Sequence, residues 1–212
     1  MGFDDLKTAL VTLLVTLDPP GLSLSFVGLT LGMTRAAKRE VALRACVIAF
    51  GILAVFALGG RAIMNELGVT IPAFRIAGGL LLLYIAFDMV FELKQERKGK
   101  LADEAAMADH VRNIAAFPLA IPLMAGPGTI TATVLLADRA GGAWLALTNL
   151  MAIVALTMAV TFATFVAAER VGRWLGATGA IVLTRMLGVV LAALAVQFVI
   201  DGVVSVMRAG GG

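Results

Sequence analysis

The chain has 212 residues, 60% of them hydrophobic and 15% charged, with a mean hydropathy of +0.99. A soluble domain uses roughly 45–50% apolar residues, so water is excluded as the main solvent of this chain. The net charge of +3 and the isoelectric point near 9.4 are compatible with nucleic acid as a partner, but the charges collect in short loops and not in a basic stripe, which argues for no nucleic acid and for a lipid bilayer.

Six windows meet the need for about 20 mostly apolar residues per transmembrane helix: 8–29, 41–60, 71–91, 113–137, 140–168 and 174–207. The sequence therefore predicts an all-α membrane protein of six transmembrane helices with no soluble domain. The first window follows Asp4, Asp5 and Lys7, without the positive n-region and small-residue cleavage site of a secretory signal, and is expected to be retained. It carries Asp18-Pro19-Pro20-Gly21, followed by Ser23 and Ser25. The second window contains the single cysteine, Cys46, so no intramolecular disulfide or CxxC redox pair is available. The third holds Arg75 near one end and Asp88 near the other. Residues 93–112 form a charged linker without apolar periodicity, and the one histidine, His110, lies in it with no second ligand at metal spacing. The fourth window contains Gly126-Pro127-Gly128, followed by Thr129, Thr131 and Thr133; the sixth contains Arg185, Gln197 and Asp201.

Basic residues are distributed unequally between the loops. Arg35, Lys38, Arg39, Arg44, Lys94, Arg97, Lys98, Lys100, Arg112, Arg170 and Arg173 fall on one side, against Lys7, Arg61, Arg139 and Arg208 on the other. Under the positive-inside rule the first group is cytoplasmic, which places both termini outside; Trp144 and Trp174 sit at window ends, where amphipathic rings favour the interface.

The chain also resembles itself. Asp18-Pro19-Pro20-Gly21-Leu22-Ser23 aligns with Ala125-Gly126-Pro127-Gly128-Thr129-Ile130, and Phe74-Arg75-Ile76-Ala77-Gly78 with Thr184-Arg185-Met186-Leu187-Gly188, at offsets of 107 and 110 residues. Three windows per half make the second copy enter from the opposite face, so the expected organisation is a 3+3 inverted repeat: residues 1–92, a cytoplasmic linker 93–112, and residues 113–212. Proline removes a backbone donor and clashes with the preceding turn, so helices 1 and 4 are expected to be broken near the midplane. Paired breaks in inverted halves point to the substrate site of a secondary transporter.

At each break a half-helix begins, and its free N–H groups and dipole favour a carboxylate. The candidate substrate-binding residues are Asp18, Pro20, Gly21, Ser23, Gly126, Pro127, Gly128 and Thr129. Asp18 has two compatible roles: N-cap of the second half-helix with Pro19 at its first position, or partner of a substrate ammonium or coupling proton. Charges inside spans usually pair, and matched depth suggests Arg75 with Asp201 and Asp88 with Arg185, as static clamps or as gates; with Asp18 these make the candidate coupling or gating set. Gln197, expected to be buried, is a weaker polar candidate.

At these residues the chain resembles the MarC family of bacterial inner-membrane proteins. The resemblance rests on Asp18-Pro19-Pro20-Gly21, Phe74-Arg75-Ile76-Ala77-Gly78-Gly79, the run Phe117-Pro118-Leu119-Ala120-Ile121-Pro122-Leu123-Met124-Ala125-Gly126-Pro127-Gly128, and residues 185–202. It implies kinship with LysE-type exporters and a substrate among small neutral amino acids. Asn-Pro or Asp-Pro is the family's usual pattern at the first break, so Asp18 is within pattern without being obligatory. The expected function is secondary transport of glycine- or alanine-like amino acids, coupled to a proton or sodium gradient. The alternatives are an exporter of other small solutes, a metal-ion carrier, or a membrane scaffold that transports nothing. P-loop, GxSxG and HExxH patterns are absent, which argues against an enzyme, and no cofactor or protein-bound metal is expected. A GxxxG match from Gly28 to Gly32 leaves a homo-oligomer open.

Overall fold

A computed structural model of the chain describes residues 3–91, 114–141 and 143–210, and all its elements are helical. The linker 93–112, with His110, lies outside the described residues. Helices α1 (Phe3–Leu17) and α2 (Pro19–Leu29) join into one apolar segment, Asp5–Leu29. Helix α3 (Arg35–Glu66) opens on Thr34, whose hydroxyl accepts the Ala37 N–H at 3.3 Å, and α4 covers Ile71–Phe91. The irregular segment α5 (Ala115–Met124) and helix α6 (Pro127–Arg139) meet at 59°. The last element, α7, is one helical run over Trp144–Gly210, containing two apolar stretches, Trp144–Ala168 and Ile181–Arg208. Among the described residues five helices are long and apolar enough to cross a membrane, and six spans result when the bent pair counts as one.

Helix α7 cannot be straight. Its 67 residues would extend about 100 Å at 1.5 Å per residue, yet Arg139, just before its start, lies 3.0 Å from Asp201 near its far end. The run therefore doubles back on itself between Trp144 and Asp201.

The side chains are sorted as a bilayer requires. Along α3, Val41, Ala45, Ala49, Leu53, Ala57, Gly60 and Met64 recur every three or four residues and are buried, which is one face of a helix. Val47 and Val55 on the opposite face are 62% and 65% exposed, and Tyr84, Phe87 and Val189 are likewise exposed on other spans. In water such continuous apolar exposure would be an aggregation hazard; against lipid tails it costs nothing. The first span is the most enclosed, with 61% of its window buried against 28–39% for the other unbent spans. It occupies the middle of the molecule.

Two apolar cores result. The larger joins α1, α2, α3, α5, α6 and the first stretch of α7, and includes Phe26 stacked on Phe165 with ring centroids 4.6 Å apart. The smaller joins Leu82 and Ala86 of α4 with Leu191, Ala195 and Phe198 of α7, over Val15 and Leu135. Here α4 and the second stretch of α7 run antiparallel with their backbones nearly touching. A methyl group on Gly79 would stand 2.8 Å from the Ala195 carbonyl oxygen, one on Gly202 3.0 Å from that of Pro72, and one on Gly188 2.9 Å from Met89 Cβ. Small residues at helix contacts are how membrane helices gain dispersion energy when the solvent is itself apolar.

Candidate functional site

At the first break a side chain repairs the backbone. Pro19 and Pro20 have no N–H, Asp18 takes a left-handed conformation (φ 50°, ψ 65°), and its Oδ1 accepts the Gly21 N–H at 3.1 Å. Aspartate is one of the few non-glycine residues that visits this region readily. The Leu22 N–H reaches the Asp18 carbonyl at 2.9 Å, so helical bonding resumes at once. Asp18 is thus the N-cap expected from the sequence, with proline following it. Asp18 Oδ1 also accepts the Thr184 hydroxyl of α7 at 3.2 Å, which ties this break to the far half of the chain. Gly21 is required by the same carboxylate: a methyl group there would lie 2.0 Å from Asp18 Oδ2. The Ser23 hydroxyl donates to the Pro20 carbonyl at 2.6 Å and is buried; Pro20 and Ser25 are half-buried.

The second break is left open. Phe117 and Ile121 have extended backbone inside α5, and the next helix starts at Pro127 after Gly126, with no side-chain cap. Ile130 N–H returns to the Gly126 carbonyl at 3.0 Å. The two preceding N–H groups, on Gly128 and Thr129, find no backbone acceptor and no side-chain cap among the described residues. Gly126, Gly128 and Thr129 are all buried, while Pro127 is exposed. Thr133 spends its hydroxyl on the Thr129 carbonyl at 2.7 Å, as threonines in apolar helices commonly do. Thr131 presses its methyl group against Gly78.

The two breaks are neighbours in space. A methyl group on Gly128 would sit 3.5 Å from Thr16 Cγ2, two residues before Asp18, and 2.4 Å from the tip of Ile85. Thr16 bonds the Thr12 carbonyl at 2.6 Å, and the Thr12 hydroxyl, fully buried, has no partner among the described residues.

The charged residues pair differently from the depth argument. Arg75 does not meet Asp201: its Nη2 donates to Asp138 Oδ2 at 3.1 Å, and Asp201 instead accepts from Arg139 at 3.0 Å. The reason is local. Asp138 and Arg139 are consecutive at the end of α6, about 100° apart around its axis, so one faces α4 and the other α7. Gln197 is exposed and not buried, and donates to Asp201 Oδ1 at 2.7 Å. The Arg139 guanidinium lies 5.0 Å over the Phe198 ring. The pair proposed for the opposite end, Asp88 and Arg185, falls where Gly188 packs on Met89; Asp88 is buried and Arg185 exposed.

Sequence reasoning thus missed Asp138, Arg139 and Thr184 as contributors. Arg139 sat at a span end and was counted as loop charge, and Asp138 beside it was not singled out, although an adjacent acid and base at a helix terminus is itself a signal for two interhelical bonds. Thr184 was visible only as a repeat position.

Residues 3–207 match the family described as MarC family integral membrane proteins. The chain is 37% identical over 187 residues to a UPF0056 membrane protein of Methanocaldococcus jannaschii, covering 88% of this chain and 90% of that one. It is 35% identical over 206 residues to a UPF0056 membrane protein of Aquifex aeolicus, covering 94% and 92%. With the UPF0056 inner membrane protein MarC of Salmonella typhimurium it shares 30% identity over 214 residues, 97% of each chain. No solved structure matches it.

Proposed function

This chain belongs to the MarC family of integral membrane proteins, and from that premise we propose that it is a secondary transporter of small neutral amino acids, driven by a proton or sodium gradient and resident in the inner membrane. The observation that carries the reading is the start of α6, beside the first break: Gly128 and Thr129 are buried residues whose N–H groups have no backbone acceptor and no side-chain cap among the described residues. Buried donors without acceptors cost about 1–3 kcal/mol each, and a substrate carboxylate satisfies them together with the helix dipole. The small space between Ile85, Leu82 and Thr16 favours a substrate with a short side chain.

The inverted 3+3 repeat is part of the proposal. Under offsets of 107 and 110, the Phe26–Phe165 contact maps to positions 133 and 58, and Gly60 lies against Val134. Likewise Gly79 against Val199 maps to positions 189 and 89, and Gly188 lies against Met89. Contacts that fall within one or two residues of the mapped positions are the support for a pseudo-two-fold axis in the membrane plane, the arrangement that suits alternating access. The charge bias puts Arg75, Asp138, Arg139 and Asp201 at the outer end, where their two ion pairs act as an outer gate on α6; Asp18 acts as the cap that holds the substrate site together. Inner-membrane placement follows the printed name of the Salmonella relative.

Uptake of labelled glycine, alanine and larger amino acids by purified protein in liposomes, with and without an imposed proton or sodium gradient, tests the reading. Gradient-dependent movement of the small members is expected. No movement of any amino acid in either direction overturns it.

A further inference from the structure

Away from both breaks, a cavity of about 90 Å³ opens between α3, α6 and the first turn of the Trp144 helix, walled by Leu58, Met64, Val134 and Leu147 and carrying two charges, Arg61 and Asp138. Neither charge is used up by the other. Asp138 gives Oδ2 to Arg75 at 3.1 Å and its Oδ1 accepts nothing among the described residues; Arg61 forms no ion pair among them. The Arg75 bond fixes the carboxylate from behind, so the second oxygen is presented at a set angle.

We infer that this cavity is a second binding site, for a small zwitterion whose carboxylate meets Arg61 and whose ammonium meets Asp138. A simple anion is drawn to Arg61 but repelled by Asp138, and a simple cation the reverse; only a molecule carrying both signs a few ångströms apart completes both. Size restricts it further. A cavity of about 150 Å³ accommodates benzene with its six heavy atoms, so the space here encloses about four; a glycine- or alanine-sized molecule fits with one end in the open mouth, and the apolar walls suit a hydrogen or a methyl group as side chain. The site therefore takes the substrate class proposed above and gives it a place to wait at the same end as the ion pairs on α6. The choice of amino acids as probes rests on the transport reading, while the binding itself does not.

The test uses detergent-purified full-length protein carrying Leu58→Cys in a Cys46→Ala background, labelled with a maleimide while glycine, alanine or β-alanine is titrated in. At least one of the three is expected to slow labelling about fivefold or more at saturation, with ethylamine and propionate giving no protection. Arg61→Gln, a change at an exposed and unpaired side chain, is expected to weaken the protecting affinity about tenfold, the worth of one charge-assisted contact. Thr129→Val, which alters the break and not the cavity, is expected to leave protection intact. Absence of protection by all three, protection that survives Arg61→Gln, or protection lost in Thr129→Val each overturns the inference. Because labelling is read without a membrane, its failure alongside successful liposome transport condemns the cavity alone, and protection without transport condemns the transport reading alone.

Discussion

At Asp18 the chain leaves the helix for one residue and a carboxylate closes the gap; around Gly126 it leaves the helix in several steps and no side chain closes it. Both places carry proline followed by glycine. The difference lies two residues before the shared proline, where the first copy has Asp18 and the aligned residue of the second is Ala125. Proline deletes a donor but does not decide what becomes of the donors after it. An acceptor within reach turns such an interruption into a capped, self-contained joint, and the lack of one leaves buried N–H groups free for something else. Under the proposed function, the first break is scaffold and the second is the place where a ligand is held.

The widest separation is expected between the two glycines. In Gly21→Ala the new methyl group meets Asp18 Oδ2 at 2.0 Å, so the carboxylate must leave both Gly21 and Thr184, at a cost of about 2–4 kcal/mol from the lost cap and unsatisfied buried groups. In Gly128→Ala it meets chiefly the flexible end of Ile85, and about 1 kcal/mol is expected. Thermal unfolding in detergent measures both, and equal losses would break the comparison. Ligand binding should separate the breaks in the opposite sense. Thr129→Val is expected to weaken alanine binding about tenfold, one hydrogen bond to a charged group, whereas Ser23→Ala, whose hydroxyl is engaged by Pro20, should change it less than about twofold. Isothermal titration of the two variants reads this; a larger effect at Ser23 would exchange the roles.

The ion pairs on α6 give a smaller effect. Arg75→Ala with Asp138→Ala is expected to show a coupling of about 1 kcal/mol, since the pair is only partly enclosed. Arg75→Ala with Asp201→Ala should be additive within about 0.5 kcal/mol, and strong coupling there would restore the pairing that depth alone suggested. The smallest change is expected for Asp18→Asn. Asparagine caps as well as aspartate and tolerates the left-handed conformation, so stability should hold within about 0.5 kcal/mol and uptake should keep its pH profile. Loss of uptake by a well-folded Asp18→Asn protein would move the first break from scaffold to substrate chemistry.

The spans were legible because bilayer thickness sets their length and a run of apolar residues announces it; the predicted 71–91 coincides with Ile71–Phe91, and 113–137 matches the bent pair closely. Asp18 as a cap was legible because capping is local, decided within three residues. What could not be read was which charge meets which. Depth along a helix follows from residue number, but rotation about it and the identity of the neighbour depend on packing, so Arg75 was matched to the right level and the wrong helix. Gln197 failed for a similar reason, since hydropathy does not say which face of a span looks inward. Nor does sequence distinguish the two glycines: the carboxylate above Gly21 and the aliphatic tips above Gly128 become visible only in three dimensions.

The seam between α4 and the end of α7 also bears on how the molecule can move. Gly79, Gly188 and Gly202 let two backbones come together through missing side chains, leaving no protruding group that one helix could withdraw while the rest stayed in place. Sliding either helix lengthwise would bring Val199, Ile76 or Met89 onto a main chain at several levels at once. These two helices must therefore travel as one girder. If the chain transports as proposed, the compliance it needs resides in α6, which is pivoted at an uncapped end and fastened at the other by two single-point bonds that can be released one after the other.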